Sequence, residues 1–194
     1  MFALVQDGSI IKYFSGDKGV TIGDIQYPRN IFTLWSAEEK EAIGIYEIVH
    51  NNNNKRDEVF YTNTNVSYAF ADGVVTASYG SPTAKSLADV TDEDDNVTLG
   101  LKSQKKEFIK QQASELLTLN DWYVIKATEV ESYSVPSAIT TYRANVRTKS
   151  NDMEVLIDAC STVDELATLY EYVNTGTEEE PVMERPLGEF PEAV

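Results

Sequence analysis

The stretch 116–146 constrains the fold of this chain most, because one helix ends within it and another begins. Before it, side chains that recur at helical intervals predict a helix near 100–119 with one buried face: Phe108, Ile109, Gln112, Ala113, Leu116 and Leu117. Asn120-Asp121 breaks this period. Pro136 then stands where the first turn of a helix tolerates a missing N–H group, which predicts a second helix.

The apolar cluster Trp122-Tyr123-Val124-Ile125 lies between these two helices. It is too apolar for an exposed loop and too short for a helix of its own, so we predict that it is buried. Trp122 is then the residue that sets the angle between the two helices.

The rest of the C-terminal third carries helical signals throughout. The apolar face of the second helix is predicted from Ile139, Tyr142 and Val146. Asp152 is a candidate cap for a short third helix, and Thr162 with Glu165 forms a capping box for a fourth. The four predicted helices are 100–119, 136–150, 152–160 and 162–173. Their joints are short, so we expect a small helical bundle over residues 99–174.

Residues 1–81 carry the signals of an α+β module built from β-hairpins around one short helix. Asp7-Gly8 and Asp72-Gly73 each separate two runs of apolar and β-branched residues, which predicts two-residue hairpin turns. The fold class predicted for the whole chain is therefore α+β.

The short helix of this module is marked at both ends. Ser36 and Glu39 form a capping box, and Gly44 is placed to end the helix in a left-handed conformation. Trp35 lies directly before the cap, and we predict that it anchors the core against apolar residues that follow the helix.

The net charge of −16 is concentrated in two segments. Residues 89–95 carry five acids and no base, and residues 175–194 carry six glutamates against one arginine. We therefore predict an acidic linker at 82–98 and an acidic, proline-containing tail at 175–194. Because Lys and Arg are few and scattered, neither nucleic acid nor a membrane surface is an expected partner.

The acidic segment DVTDEDDNVTLG has a second interpretation as a calcium-binding loop. It lacks the alternating ligand spacing, the central Gly and the closing Glu of an EF-hand. We favour a linker whose end places carboxylates at the start of the following helix, where the helix dipole stabilises negative charge.

No constellation of catalytic residues is apparent in the sequence. His50 is the single histidine, and Cys160, the single cysteine, is predicted to be a small core residue. There is no Gly-rich phosphate loop, nucleophile elbow or zinc pattern. We expect no enzymatic activity, no cofactor and no metal, although a glycosidase-like pair of carboxylates is an alternative that the composition leaves open.

Three motifs of the C-terminal half occur in the order found in a known family. Asn120-Asp121-Trp122, Val135-Pro136 and the run YRANVR (142–147) resemble the pattern T-D-W … VP … YR … LR. That pattern is found near the C-terminal end of tail-fibre assembly proteins and related tail-fibre proteins of tailed bacteriophages. Asn120 stands where the pattern has Thr.

The N-terminal half resembles the opening module that such phage proteins carry. The resemblance rests on residues 1–13 (MFALVQDGSIIKY), on Tyr27-Pro28 and on residues 34–45 (LWSAEEKEAIGI). Together with the C-terminal motifs, it extends over most of residues 1–80 and 101–173.

The resemblance implies a non-enzymatic bacteriophage tail protein that assists tail-fibre assembly in the host cytoplasm by chaperone-like binding to the fibre protein. The implied partner is a tail-fibre or other tail protein, and a second copy of the chain is an alternative partner. The alternative function is that of a structural virion component retained in the tail fibre, tail or baseplate. The residues expected to carry structural or interaction roles are Trp35, Trp122, Pro136, Tyr142, Arg143 and Arg147.

Overall fold

The structure, a computed structural model, describes residues 1–194 and divides them into two compact units, Met1–Thr83 and Ala84–Val194. Strands are concentrated in the first unit and helices in the second, which confirms the α+β class. The elements of the first unit are β1 (Phe2–Gln6), β2 (Ser9–Phe14), β3 (Val20–Ile22), β4 (Ile25–Tyr27), α1 (Ile31–Leu34), α2 (Ala37–Glu41), β5 (Ile45–Asn51), β6 (Tyr61–Thr62), β7 (Val66–Ala71), β8 (Val74–Tyr79) and, at its end, β9 (Thr83–Ala84).

Five strands of the first unit form one sheet in the order β2-β1-β5-β8-β7. Neighbouring strands are antiparallel except β5 and β8, which are parallel. Both predicted hairpins are confirmed, as β1–β2 and β7–β8. The two central residues of each turn have positive φ: Asp7 (49°), Gly8 (76°), Asp72 (52°) and Gly73 (77°). Such a pair of positive φ angles matches the right-handed twist of the flanking strands.

This sheet is covered by apolar side chains on both faces. Along β1, Ala3 and Val5 belong to one buried cluster and Leu4 belongs to another, because successive residues of a strand point to opposite faces. The first cluster consists of Ala3, Val5, Ile48, Val75 and Ala77, and the second of Leu4, Val20, Ile31, Phe32 and Ile45.

The prediction of one short helix in this unit is wrong, because the structure has two, α1 and α2. The predicted capping box is present: the Ser36 hydroxyl accepts from the Glu39 N–H (3.2 Å), and the Ser36 N–H donates to the Glu39 carboxylate (2.8 Å). An N-cap residue needs an extended backbone, and ψ is 144° at Trp35 and 167° at Ser36. The cap that starts α2 therefore separates it from α1.

Gly44 ends this helical region as predicted. Its φ is +79°, and a Cβ at this position would lie 2.6 Å from the carbonyl oxygen of Val5. Both the left-handed backbone and the close approach of β1 require glycine here.

The second unit is built on two long antiparallel helices, α3 (Leu101–Thr118) and α5 (Ser137–Ala159). Ion pairs join them at Lys106–Asp158 (2.8 Å) and Lys110–Glu154 (3.2 Å). The elements of this unit are β10 (Val90–Thr91), β11 (Val97–Thr98), α3 (Leu101–Thr118), α4 (Asp121–Glu129), α5 (Ser137–Ala159), α6 (Val163–Thr168), β12 (Val173–Asn174) and β13 (Met183–Glu184).

The predicted break between helices 136–150 and 152–160 is wrong, because α5 is continuous and Asp152 is exposed within it. Ser150 explains the difference. It takes a position on the buried face of α5 between Val146 and Met153, and it is only 7% exposed. No Gly or Pro interrupts the helix there, so the buried face continues to Ile157.

Burial and capping in the structure test several further predictions for the helical unit. Ile109 and Ala113 are buried as predicted, whereas Phe108 is 54% exposed and lies off the buried face of α3. The Thr162–Glu165 capping box of α6 is present. Cys160 is buried, and burial raises the pKa of its thiol, which fits the predicted core role.

The predicted acidic linker at 82–98 contains secondary structure and contacts the start of α3. Residues 90–98 form the β10–β11 hairpin, and the Asp89 carboxylate accepts a hydrogen bond from the N–H of Gly100 (2.8 Å), the residue before α3. The Leu101 N–H donates to the Ser86 carbonyl (2.9 Å). A carboxylate does lie at the start of the following helix, but it is that of Asp89, before the hairpin, and not one from the end of the segment as predicted. Most of the segment belongs to the helical unit.

The expected acidic tail at 175–194 is also packed on the helical unit in part. β13 pairs with β12, and the Leu187 N–H donates to the Leu169 carbonyl (3.0 Å). The Leu187 side chain is 1% exposed, and Phe190 packs on the cluster of α3 and α5 residues around Tyr142. The tail prediction missed this contact because acidic residues surround its few apolar ones.

No helix of the chain combines the length and the apolar character that crossing a membrane requires.

Leu187→Ala should lower the free energy of unfolding of the helical unit by about 2–5 kcal/mol, because it leaves a cavity in a fully buried position. Met183→Ala is the matched control in the same segment. Met183 is 56% exposed, so its loss should cost less than about 0.5 kcal/mol. Urea denaturation followed by circular dichroism measures both. Equal effects would show that residues 185–190 do not pack on the helices.

The Asp89 contact should make the stability of the helical unit depend on pH. The Gly100 N–H, and then the Ser103 hydroxyl, lower the pKa of Asp89 below its ordinary value of 3.8. Ionised Asp89 therefore stabilises the folded unit above pH 3.8, and this stabilisation is lost as the pH falls through the folded value.

The test compares wild type with Asp89→Asn by urea denaturation at about pH 6 and about pH 2.5. The variant should have the lower midpoint at the higher pH, and the difference should shrink at the lower pH. Asp94→Asn makes the same charge change in the same segment and is the matched control. A difference between wild type and Asp89→Asn that is the same at both pH values contradicts the assignment.

Candidate partner-binding site

The buried arginine Arg143 joins the end of α3 to the start of α4. It lies on the buried side of α5 and is 8% exposed. One guanidinium nitrogen donates to the Leu117 carbonyl (2.6 Å), and the other donates to the Asp121 carboxylate (2.7 Å). A guanidinium is suited to this role because its fork presents several donors in a fixed plane.

Both hydrogen bonds place a charge at a helix terminus that stabilises it. Leu117 lies in the last turn of α3, where carbonyls lack helical partners and positive charge is stabilised. Asp121 is the first residue of α4, where negative charge is stabilised. Between them, the Asn120 N–H also donates to the Leu117 carbonyl (3.0 Å), and Asn120 is 5% exposed. The α3–α4 turn is therefore held by buried polar contacts.

The prediction that Trp122 and its neighbours are buried is wrong. The cluster belongs to the nine-residue helix α4, in which no residue is buried. The large apolar side chains exposed on α4 and beside it are Leu119 (66%), Trp122 (51%), Val124 (39%), Ile125 (56%) and Val130 (40%).

Two of these residues follow helical spacing. Trp122 and Ile125 are three residues apart within α4, which places them on one face of this helix, and Leu119 precedes it at the end of α3. The Trp122 ring stacks on Tyr123 with centroids 3.9 Å apart, and the Lys126 ammonium lies 5.8 Å from the Trp122 centroid. Contacts within α4 therefore orient the exposed indole.

The remaining predicted site residues are distributed over both units. Trp35 is half-buried in the first unit, where it packs edge-on against Tyr27 (5.9 Å), as a core anchor does. Pro136 is exposed and is the N-cap residue of α5. Tyr142 is 4% exposed, and its hydroxyl makes no hydrogen bond. The structure thus brings Trp122, Tyr142 and Arg143 to one end of the helical unit and places Trp35 elsewhere.

A groove of about 510 Å³ lies between α3 and α5 beside the Arg143 contacts. Its charged lining residues are Lys110, Asp121, Arg143, Arg147 and Glu154, and its other lining residues include Ser114, Thr118, Ser150 and Asn151. Arg147 is exposed, and its Nη1 donates to the Arg143 carbonyl (3.3 Å). Sequence reasoning selected Arg147 by resemblance alone, and it missed Ser150 and Lys110.

This end of the unit presents an exposed apolar helix face and a polar groove. No three His, Cys, Asp or Glu side chains of the chain meet in a way that could hold a metal ion. The Arg143–Asp121 contact holds the first residue of the helix that carries the exposed indole.

Arg143→Lys should lower the free energy of unfolding of the helical unit by about 1–3 kcal/mol, because one ammonium cannot reproduce both forked hydrogen bonds. Arg147→Lys is the matched control on the next turn of α5 and should change it by less than about 0.5 kcal/mol. Thermal or urea unfolding measures both variants. Two equal losses would mean that the fork of Arg143 does not hold the α3–α4 turn.

The chain matches no protein-family model, no curated protein and no solved structure.

Proposed function

We propose that this protein is a non-enzymatic binding protein that assists the assembly of bacteriophage tail fibres by holding an unfinished fibre protein. The observation that carries the proposal is α4, a nine-residue helix without one buried residue whose apolar side chains face solvent. An exposed group of large apolar side chains on a folded protein is typical of an interaction site.

The way α4 is held supports this interpretation over that of a poorly packed loop. Arg143 fixes the first residue of α4 from inside the unit, and Asn120 is buried directly before it. A surface that is already ordered loses little conformational entropy when a partner binds. Trp122 at its centre is a residue type that contributes strongly to protein interfaces.

The phage assignment rests on the resemblance of the motifs, and the geometry is consistent with it. Asn120-Asp121-Trp122 and Tyr142-Arg143 are far apart in the sequence, and the Asp121–Arg143 ion pair joins them (2.7 Å). A motif whose separated parts meet at one exposed helix is suited to binding. An unfinished fibre exposes apolar surface that a complete trimer buries, and α4 offers a complementary face.

The test is co-expression of this protein with the tail-fibre protein of the same phage, followed by size-exclusion chromatography of soluble fibre trimers. Trp122→Ala should reduce the yield of trimer by at least about tenfold if the indole contributes a typical central contact. Because Trp122 is 51% exposed, the same change should alter the free energy of unfolding by less than about 1 kcal/mol.

Phe108→Ala is the matched control, since Phe108 is a similarly exposed aromatic residue (54%) on α3. It should leave the trimer yield unchanged. Soluble, trimeric fibre in the absence of this protein would refute the assembly function. Mass spectrometry of purified particles completes the test: a chaperone should be absent from them, whereas a fixed stoichiometry would assign the protein to the virion.

A further inference from the structure

The groove between α3 and α5 contains one arginine that no carboxylate neutralises. Its lining has three bases and two acids. Lys110 pairs with Glu154 (3.2 Å) and Arg143 pairs with Asp121 (2.7 Å), so both acids are engaged. The base left over is Arg147.

Arg147 is unusual among the arginines of the helical unit. The other two, Arg143 and Arg185, each form an ion pair at 2.7 Å, with Asp121 and Glu189 respectively. The hydrogen bond of Arg147 to the Arg143 carbonyl is longer (3.3 Å) and uses one of its five N–H donors. Arg147 is thus the one arginine of the helical unit that forms no ion pair, in a chain with a net charge of −16.

A second, independent observation comes from Ser150. It is 7% exposed, lines the same groove and makes no side-chain hydrogen bond within the protein. Ser150 lies three residues after Arg147 on α5, so the two side chains share one face of the helix. Its hydroxyl is not among the buried polar atoms that lack a partner, so the oxygen is accessible from the groove that Ser150 lines.

We propose that this groove binds one side-chain carboxylate of a partner protein, with Arg147 as the charged donor and Ser150 as the neutral one. A guanidinium and a hydroxyl on adjacent turns match the two oxygens of a carboxylate. The two acids of the groove, Asp121 and Glu154, pair with Arg143 and Lys110, and neither forms an ion pair with Arg147.

The charge of the chain limits what surrounds that carboxylate. A protein with a net charge of −16 repels a polyacidic segment or a phosphate dianion more strongly than it repels a single carboxylate. The ligand is therefore a single glutamate or aspartate among neutral or basic residues. This inference extends the proposed function by describing the partner, but its test requires no fibre protein.

The test uses the full chain, labelled with ¹⁵N, and an acetylated and amidated pentapeptide of sequence Ala-Lys-Glu-Lys-Ala. Addition of this peptide should shift the side-chain Nε–Hε signal of Arg147 and the amide signal of Ser150 in a saturable manner. The matched peptide with Gln in place of Glu should bind at least about tenfold more weakly, because it removes the charge-assisted contact.

Arg147→Gln should weaken binding of the Glu peptide by a similar factor, whereas Arg29→Gln, the same change in the first unit, should leave it unaltered. The backbone spectrum of each variant shows whether the fold is intact. Equal binding of the Glu and Gln peptides would overturn the proposal. So would tighter binding of inorganic phosphate than of the Glu peptide at the same ionic strength, since that would identify a phosphate site.

Discussion

The two hydrogen bonds of Arg143 are the contact on which the binding end of the helical unit depends. One guanidinium spans the last turn of α3 and the first residue of α4, so a single side chain links the two helix termini. Removal of the acid from such a contact costs more than the pair itself contributes, because the buried Arg143 is then left without its carboxylate partner. Trp122 directly follows Asp121, so the same contact holds the start of the helix that carries the exposed indole.

Elements set by neighbouring residues were predictable from the sequence. The capping box of Ser36 and Glu39, the Asp-Gly hairpin turns and the left-handed Gly44 each depend on backbone geometry within a few residues. The same holds for the cap of α6. Such local signals remain valid in any tertiary context, which is why they identified the α+β class and the positions of the two hairpins.

Elements set by distant residues were not predictable in this way. The sequence cannot show that Ser150 lies on the buried face of a continuous α5, or that Arg143 supplies a partner for Asp121 at the start of α4. The same reason applies to Leu187, whose burial depends on contacts with residues far earlier in the chain. At the candidate site, the motif residues were identified, but Trp122 was assigned to the interior because apolar content alone does not distinguish a core from an interface.

The packing of Leu187 and Phe190 has a consequence for the order of events during synthesis. α3 and α5 leave the ribosome before Phe190, which packs on the apolar cluster that they form. Until then, the apolar surface around Tyr142, Leu116 and Leu117 lacks this cover. The helical unit is therefore completed only after its two main helices have been translated.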